Sequence, residues 1–199
     1  MATRIIFATG NEGKMREIRE ILKGLNLEIV SMKEAGIERD AEENGTTFEE
    51  NALIKARSIA GLTYDIVMAD DSGLEIDALN KEPGIYSARY LGEDTSYDIK
   101  NTTLLNRMKA VPEPRRTARF VCALAAILPT GEELVVRGEV EGRIAYEMKG
   151  KYGFGYDPIF YLPQYGCTSA ELLPEKKNAI SHRGKALTQM YKLLSEREI

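Results

Sequence analysis

The chain has 199 residues, of which 43% are hydrophobic and 29% charged, enough for one compact domain or two closely joined lobes. Its formal net charge of −4 argues against a protein that binds duplex nucleic acid, although a nucleotide needs only a local cluster of Lys and Arg. No apolar run reaches the roughly 18 residues of a membrane helix and no signal peptide is evident, so we expect a cytoplasmic protein without membrane or nucleic-acid partners.

The first predicted elements are a strand, a glycine-containing loop and a helix. Residues 4–8 are apolar enough for a strand, and Met15, Ile18 and Ile21 then recur at helical spacing. This order presents backbone N–H groups and a helix dipole to a phosphate, with Lys14 as an added positive charge; an ordinary turn is the alternative. The candidate phosphate loop comprises Thr9, Gly10, Asn11, Glu12, Gly13 and Lys14.

An acidic loop precedes the next predicted helix. Residues 33–46 are irregular and include the adjacent acids Glu42 and Glu43. Thr47 and Glu50 have the spacing of a capping box, which predicts that a helix begins there. Most acids of this loop are expected to be solvated, but one of Glu42 and Glu43 could reach a metal bound nearby.

A buried strand that ends in two carboxylates is the most informative stretch. The apolar residues 66–69 are followed by Asp70, Asp71 and Ser72. An unpaired carboxylate near a core costs several kcal/mol, so a divalent cation such as Mg²⁺, which prefers oxygen ligands, is the simplest explanation. His182 is the single histidine, which excludes a multi-histidine metal site. A solvated Asp-Asp-Ser-Gly turn is the alternative.

The middle of the chain predicts a long mixed sheet. A helix opens at Thr95 and Asp98, and Pro112 and Pro114 close it. Helix and strand alternate early and hairpins follow, so the fold class is α/β or mixed α+β, in one domain over residues 1–199 without a separating linker. The further strands are predicted at residues 27–30, 117–128, 134–140, 143–146 and 159–162.

Glycines alternate with aromatic residues in the segment from residue 150 to residue 158. This pattern does not suit a strand interior. It favours a loop whose backbone approaches a flat ligand and whose rings stack on it, or a turn whose rings cover the core. The candidate ligand contacts are Phe154, Gly155, Tyr156 and Asp157.

The most basic segment spans residues 176–185 and continues as an amphipathic helix. His182 and Arg183 offer donors to a base carbonyl or a phosphate oxygen. A solvated basic face is the alternative.

These stretches resemble, in order and residue type, the inosine triphosphate pyrophosphatase family, which acts on deaminated purine nucleotides. The resemblance covers essentially the whole chain, and six ordered motifs make it specific. The motifs are Thr9-Gly10-Asn11 with Lys14, Glu42-Glu43 before residues 47–52, Ala69-Asp70-Asp71-Ser72-Gly73-Leu74, Pro83-Gly84-Ile85-Tyr86-Ser87-Ala88-Arg89, Gly153-Phe154-Gly155-Tyr156-Asp157-Pro158 and Ser181-His182-Arg183-Gly184.

The resemblance implies a long mixed sheet with flanking helices that form two lobes around a nucleotide cleft, and commonly a homodimer. It implies Mg²⁺-dependent hydrolysis of ITP, dITP and XTP to the monophosphate and pyrophosphate. Asp71 would be general base and metal ligand, with Asp70 and Glu42 or Glu43 completing the acidic group.

The resemblance also implies roles for the remaining candidates. Residues 9–14 would hold the triphosphate with Ser72, Phe154 would stack on the base, and Lys177, His182 and Arg183 would donate to it. Two alternatives are a nucleotide-dependent phosphotransferase and a non-catalytic purine nucleotide sensor. The absence of a Walker A loop disfavours the first, and the retained acids disfavour the second.

Overall fold

The computed structural model describes residues 3–39 and 41–197. The strands are β1 (Thr3–Phe7), β2 (Leu27–Ser31), β3 (Ile66–Ile76), β4 (Thr117–Ile127), β5 (Glu133–Ile144), β6 (Phe160–Leu162) and β7 (Cys167–Thr168). The α-helices are α1 (Glu12–Ile21), α2 (Phe48–Ala60), α3 (Tyr97–Arg107), α4 (Pro174–Ile180) and α5 (His182–Ser195). In the described ranges, no helix is long and apolar enough to cross a membrane.

The strands form one mixed sheet in the order β2-β1-β3-β4-β5-β6-β7. β1 is parallel to both β2 and β3, whereas β5, β6 and β7 pair antiparallel. The predicted fold class, a mixed sheet with flanking helices, is therefore confirmed.

The chain divides into two compact units. The first comprises Met1–Asp71, Cys122–Gly138 and His182–Ile199, and the second comprises Ser72–Val121 and Glu139–Ser181. Each has its own apolar core, built where the inward positions of strands meet the apolar stripes of helices. Core residues of the first unit include Ile5, Phe7, Met15, Ile18, Ile66, Met68, Leu187 and Met190. Core residues of the second include Leu74, Ile76, Leu104, Met108, Phe120, Ile159 and Phe160.

Two of the strand predictions are wrong. β3 continues past Ala69, where the predicted strand ended, to Ile76, so Asp70 and Asp71 lie inside a strand and not in a turn. The separate short strand predicted at residues 143–146 does not form, because β5 runs without interruption to Ile144. In both cases the predicted strand is too short, because the observed strand continues through polar residues. The backbone hydrogen bonds of a sheet do not depend on the polarity of the side chains.

The predicted capping box at the start of α2 forms only in part. The Thr47 hydroxyl accepts from the backbone N–H of Glu50, as predicted. The Glu50 carboxylate, however, accepts from the N–H and hydroxyl of Thr46, at 2.6 and 2.8 Å. The side chains of Thr47 and Glu50 therefore both accept backbone N–H groups at the start of α2.

Gly138 lets β5 approach the first turn of α5 closely. A Cβ atom at this position would lie 2.1 Å from the His182 carbonyl oxygen and 2.7 Å from the Ala186 nitrogen. Both neighbours are helix backbone, which cannot swing aside as a flexible side chain can. Gly138 therefore sets the depth at which α5, with His182 and Arg183 in its first turn, is seated in the first unit.

We expect Gly138→Ala to lower the free energy of unfolding by about 1–3 kcal/mol or more, because the added methyl overlaps backbone atoms. Urea or thermal unfolding measures the loss. The matched control is Gly61→Ala, at an exposed position with φ −74° and no atom within 4 Å of the new Cβ. The control should be neutral or slightly stabilised. A Gly138→Ala protein as stable as the wild type would contradict the close packing of α5 on β5.

Candidate functional site

Two adjacent carboxylates in β3 lie at the centre of the candidate site. Asp70 and Asp71 are 1% and 6% exposed. Because successive side chains of a strand point to opposite faces of the sheet, the two carboxylates face opposite sides. The two carboxylates therefore meet different helices of the first unit.

Asp70 is neutralised by cations from α1 and α5. The Lys14 Nζ lies 3.0 Å and the Arg183 Nη2 3.2 Å from its Oδ2. Arg183 also donates to the carboxylate of Glu17, and both residues are buried. The sequence predicts that Arg183 donates to a base. In the structure, two of its guanidinium nitrogens bind carboxylates.

Asp71 contacts α2 through one amide and one ammonium group. Asn51 Nδ2 lies 3.3 Å from Oδ2, and Lys55 Nζ lies 3.1 Å from Oδ1. Lys55 also lies 3.3 Å from an oxygen of Glu43. Burial raises the pKa of Asp71 above its ordinary value, and the ammonium groups of Lys55 and Lys14 offset part of that rise. A buried carboxylate with a raised pKa has the character of a general base.

The four carboxylates predicted to bind a metal do not form one group. Among residues 3–39 and 41–197, no three His, Cys, Asp or Glu side chains gather as a metal site. Glu42 is exposed, and Asp70 is bound by Lys14 and Arg183. Glu43 and Asp71 share Lys55, and two carboxylates suffice for Mg²⁺ when substrate phosphates supply further oxygens. These two residues fit that ion.

The predicted phosphate loop, residues 9–14, lies at the carboxyl end of β1 and enters α1. Asn11 is the N-cap of α1 and accepts from the backbone N–H of Lys14 at 3.0 Å. Thr9 Oγ1 accepts from the N–H of Asn11 at 3.2 Å. The parallel register pairs Phe7 with Met68, so the loop follows β1 at the edge where Asp70 follows Met68. This register explains why Lys14 reaches Asp70.

The glycine-aromatic loop of the second unit is organised by Asp157. Its Oδ2 accepts from the Phe154 N–H at 2.9 Å and from Lys177 Nζ at 2.5 Å. The Lys177 ammonium lies 5.1 Å from the centroid of the Phe154 ring, within the range of a cation–π contact. Gly153 has φ +74°, and a Cβ there would lie 2.1 Å from the Asp157 carboxylate. Phe154, Asp157 and Lys177 are therefore brought together.

Tyr156 differs from Phe154 in its environment. Its ring is 4% exposed and belongs to the core of the second unit, and its hydroxyl donates to the Ser87 carbonyl at 2.7 Å. Phe154 is half-buried. The prediction of a stacking ring therefore suits Phe154, while the alternative, a ring that covers the core, holds for Tyr156. Of the remaining predicted residues, Ser72 lies half-buried in β3, and His182 lies buried at the start of α5.

Three residues of the site were not predicted as site residues from the sequence: Glu17, Asn51 and Lys55. Glu17 lies one turn after Lys14 on the buried side of α1, so its spacing was a usable signal. Asn51 and Lys55 are likewise one turn apart on α2, and Asn51 is fully buried. A polar residue on an apolar helix face indicates a buried partner, because its desolvation must be offset.

Comparison with known proteins finds relatives that match nearly the whole chain. The Ham1 family profile matches residues 5–193. The dITP/XTP pyrophosphatase of Clostridium perfringens is 48% identical over 193 residues, covering 94% of this chain and 95% of that protein. The dITP/XTP pyrophosphatase of Bacillus subtilis is 48% identical over 189 residues, covering 95% and 96%.

A solved structure agrees with these relatives. The HAM1 protein from Coxiella burnetii superposes with a TM-score of 0.87 at 43% identity, covering 98% of this chain and 99% of that one. The resemblance drawn from the six motifs is thus confirmed over the length of the fold. The chain belongs to the Ham1 family.

Proposed function

We propose that this protein hydrolyses deaminated purine nucleoside triphosphates, namely ITP, dITP and XTP, to the monophosphate and pyrophosphate. Relatives named dITP/XTP pyrophosphatases, 48% identical over nearly the full chain, support this substrate class. The observation that carries the chemistry is Asp71, a buried carboxylate with a raised pKa held between an amide and an ammonium group. The homodimer remains a prediction from the family resemblance, and the cytoplasmic location remains a prediction from the sequence.

The reaction needs a water molecule to attack the α-phosphorus. A P–O bond forms between the α-phosphorus and the water oxygen. The bond from the α-phosphorus to the oxygen that bridges the α- and β-phosphates breaks, and pyrophosphate leaves. Asp71 takes the water proton at Oδ2, because that oxygen accepts from the neutral Asn51 amide while Oδ1 faces the Lys55 ammonium. Positioning and charge neutralisation supply most of the remaining rate, as in other phosphoryl transfers.

Asp71 and Glu43 would hold Mg²⁺. Their shared contact with Lys55 brings together the two hard oxygen donors that this ion prefers. When bound, the ion would neutralise the charge that develops on the phosphate oxygens. Lys55 then keeps the two carboxylates from repelling each other, since its ammonium lies 3.1 Å from one and 3.3 Å from the other.

The phosphate loop and Lys14 would bind the triphosphate. The loop of residues 9–14 is exposed or half-exposed at the N-terminus of α1, where helix N–H groups favour an anion. Lys14 adds a cation whose position is set by Asp70, at 3.0 Å. Arg183, which also contacts Glu17, binds the same carboxylate of Asp70 and helps to hold it in place.

The glycine-aromatic loop and Lys177 would bind the base. Phe154 offers a half-buried ring, and Lys177, fixed by Asp157, offers an ammonium donor beside it. Hypoxanthine and xanthine carry a carbonyl at C6 that accepts a hydrogen bond, whereas adenine carries an amino group there. A site built on such donors can discriminate by about 10⁴ or more, because adenine would leave them unpaired.

The test of the proposed function is a nucleotide panel of ITP, dITP, XTP, ATP and GTP, with and without Mg²⁺. Both pyrophosphate and orthophosphate are measured. We expect pyrophosphate from ITP, dITP and XTP in the presence of Mg²⁺. Phosphate transfer to an acceptor would favour a phosphotransferase, and ITP binding without turnover would favour a sensor; either result would overturn the proposal.

We expect Asp71→Asn to lower kcat by roughly 10²–10⁴, because the amide cannot accept the water proton. Steady-state hydrolysis of ITP measures the loss, and a thermal unfolding curve checks that the variant is folded. The control Asp98→Asn removes an exposed carboxylate of α3 and should retain full activity. Near-normal turnover by folded Asp71→Asn would remove Asp71 from the mechanism.

Alanine substitutions of His182 and of Arg183 should have different effects. A base donor at His182 predicts that His182→Ala lowers kcat/KM for ITP by roughly 2- to 150-fold and spares ATP, which has no acceptor at C6. Arg183→Ala should instead destabilise the protein by about 3–5 kcal/mol and lower activity on both nucleotides, because Asp70 and Glu17 lose their buried cation.

The measurements are kcat/KM for ITP and ATP and urea unfolding of each variant, with the exposed α5 residue Gln189→Ala as control. An unchanged ITP-to-ATP ratio in His182→Ala would rule out base recognition by His182. A fully stable Arg183→Ala protein would contradict the structural role of Arg183.

A further inference from the structure

The buried face of α3 carries two polar residues that the proposed reaction does not use. Tyr97, Lys100, Asn101 and Leu104 follow one another at the spacing of a single helix face. Lys100 and Asn101 are each 1% exposed. Burying an ammonium and an amide group in place of apolar side chains is costly, so their contacts must offset the lost hydration.

Both side chains donate to backbone carbonyls of neighbouring loops in the second unit. Asn101 Nδ2 donates to the Gly155 carbonyl at 3.0 Å. Lys100 Nζ donates to the Ala88 carbonyl at 2.6 Å and lies 4.9 Å from the centroid of the Tyr97 ring. Neither contact is an ion pair; each uses a buried donor to hold a piece of main chain.

The two loops held by α3 are also joined to each other. The Tyr156 hydroxyl donates to the Ser87 carbonyl at 2.7 Å, next to the Ala88 carbonyl that Lys100 holds. The Tyr156 ring packs edge-on against Tyr97 of α3, with centroids 5.2 Å apart. The backbone of Gly155 and the side chain of Tyr156 are therefore held by the same helix.

Phe154 depends on these contacts because it lies between two glycines. Gly153 and Gly155 have φ +74° and +67°, a region that glycine enters freely and other residues rarely do. Residues 150–155 belong to no helix or strand, and the N–H groups of Lys151 and Tyr152 donate to the Ala170 carbonyl at 3.0 and 2.9 Å. The chain around Phe154 needs further partners to adopt one conformation. Asp157 supplies one on the N-terminal side of the loop, through the Phe154 N–H. Asn101 supplies one on the other side, at Gly155.

We propose that Lys100 and Asn101 are positioning residues, which hold the loop so that the Phe154 ring is presented to the purine base. This inference rests on the proposed function, in which Phe154 stacks on the base. It assigns to α3 a part in base binding without direct contact with the nucleotide. Loss of either donor should weaken interactions with the base and leave those with the phosphates intact.

The test compares a ligand that has a base with one that has only phosphates. For Asn101→Ala we expect KM for ITP to rise about 2- to 13-fold, the range for one lost hydrogen bond, with kcat within about twofold. The inhibition constant of inorganic tripolyphosphate should stay within about twofold of wild type, because it contacts no base. The matched control, Asn106→Ala, removes an exposed amide from the same helix and should change neither value.

A second variant keeps the inference testable if Asn101→Ala does not fold. Lys100→Met preserves the apolar stem and removes the donor to Ala88, and the same split between ITP and tripolyphosphate is expected. Equal changes for both ligands, or no change for either, in a folded variant would overturn the positioning role. A wild-type protein that fails to hydrolyse ITP would instead overturn the proposed function, so the two failures are distinguishable.

Discussion

Two buried carboxylates on one strand are stabilised by donors that reach them from opposite faces of the sheet. Removing an ionised carboxylate from water costs several kcal/mol unless a partner offsets the loss. Lys14 and Arg183 supply that partner for Asp70, and Lys55 supplies it for Asp71. The first turns of α1 and α5 and the middle of α2 are therefore tied to the same two residues of β3.

This arrangement links stability to chemistry in the first unit. The ammonium of Lys55 offsets part of the cost of burying Asp71, yet burial still raises the pKa of that carboxyl above its ordinary value. A carboxyl group that accepts a proton more readily than an ordinary aspartate suits the activation of water. The neutral Asn51 amide on Oδ2 leaves one oxygen more basic than the other, so the direction of proton transfer follows from the contacts.

In the second unit, the contacts serve to order a loop. A loop with two positive-φ glycines gains freedom to approach a ligand but loses the ordering that a strand ladder would provide. Hydrogen bonds from Asn101 and the Phe154–Asp157 pair restore that order. The carboxylate of Asp157 then does two things, since it fixes the backbone of Phe154 and the ammonium of Lys177. Rigid presentation of a flat ring reduces the ordering cost of binding a base.

The sequence by itself determined the fold class, the order of the motifs and the family, because these depend on local apolar periodicity and residue order. The tertiary structure decided which face each carboxylate takes. Asp70 and Asp71 look alike in sequence, and only their place inside an unbroken strand separates them. It also decided that Glu43 and not Glu42 reaches Lys55, that the Tyr156 ring lies in a core, and that Lys100 and Asn101 hold loops. Such choices depend on partners distant in the chain, and a buried polar side chain gains its stabilisation only from the partner that the fold brings to it.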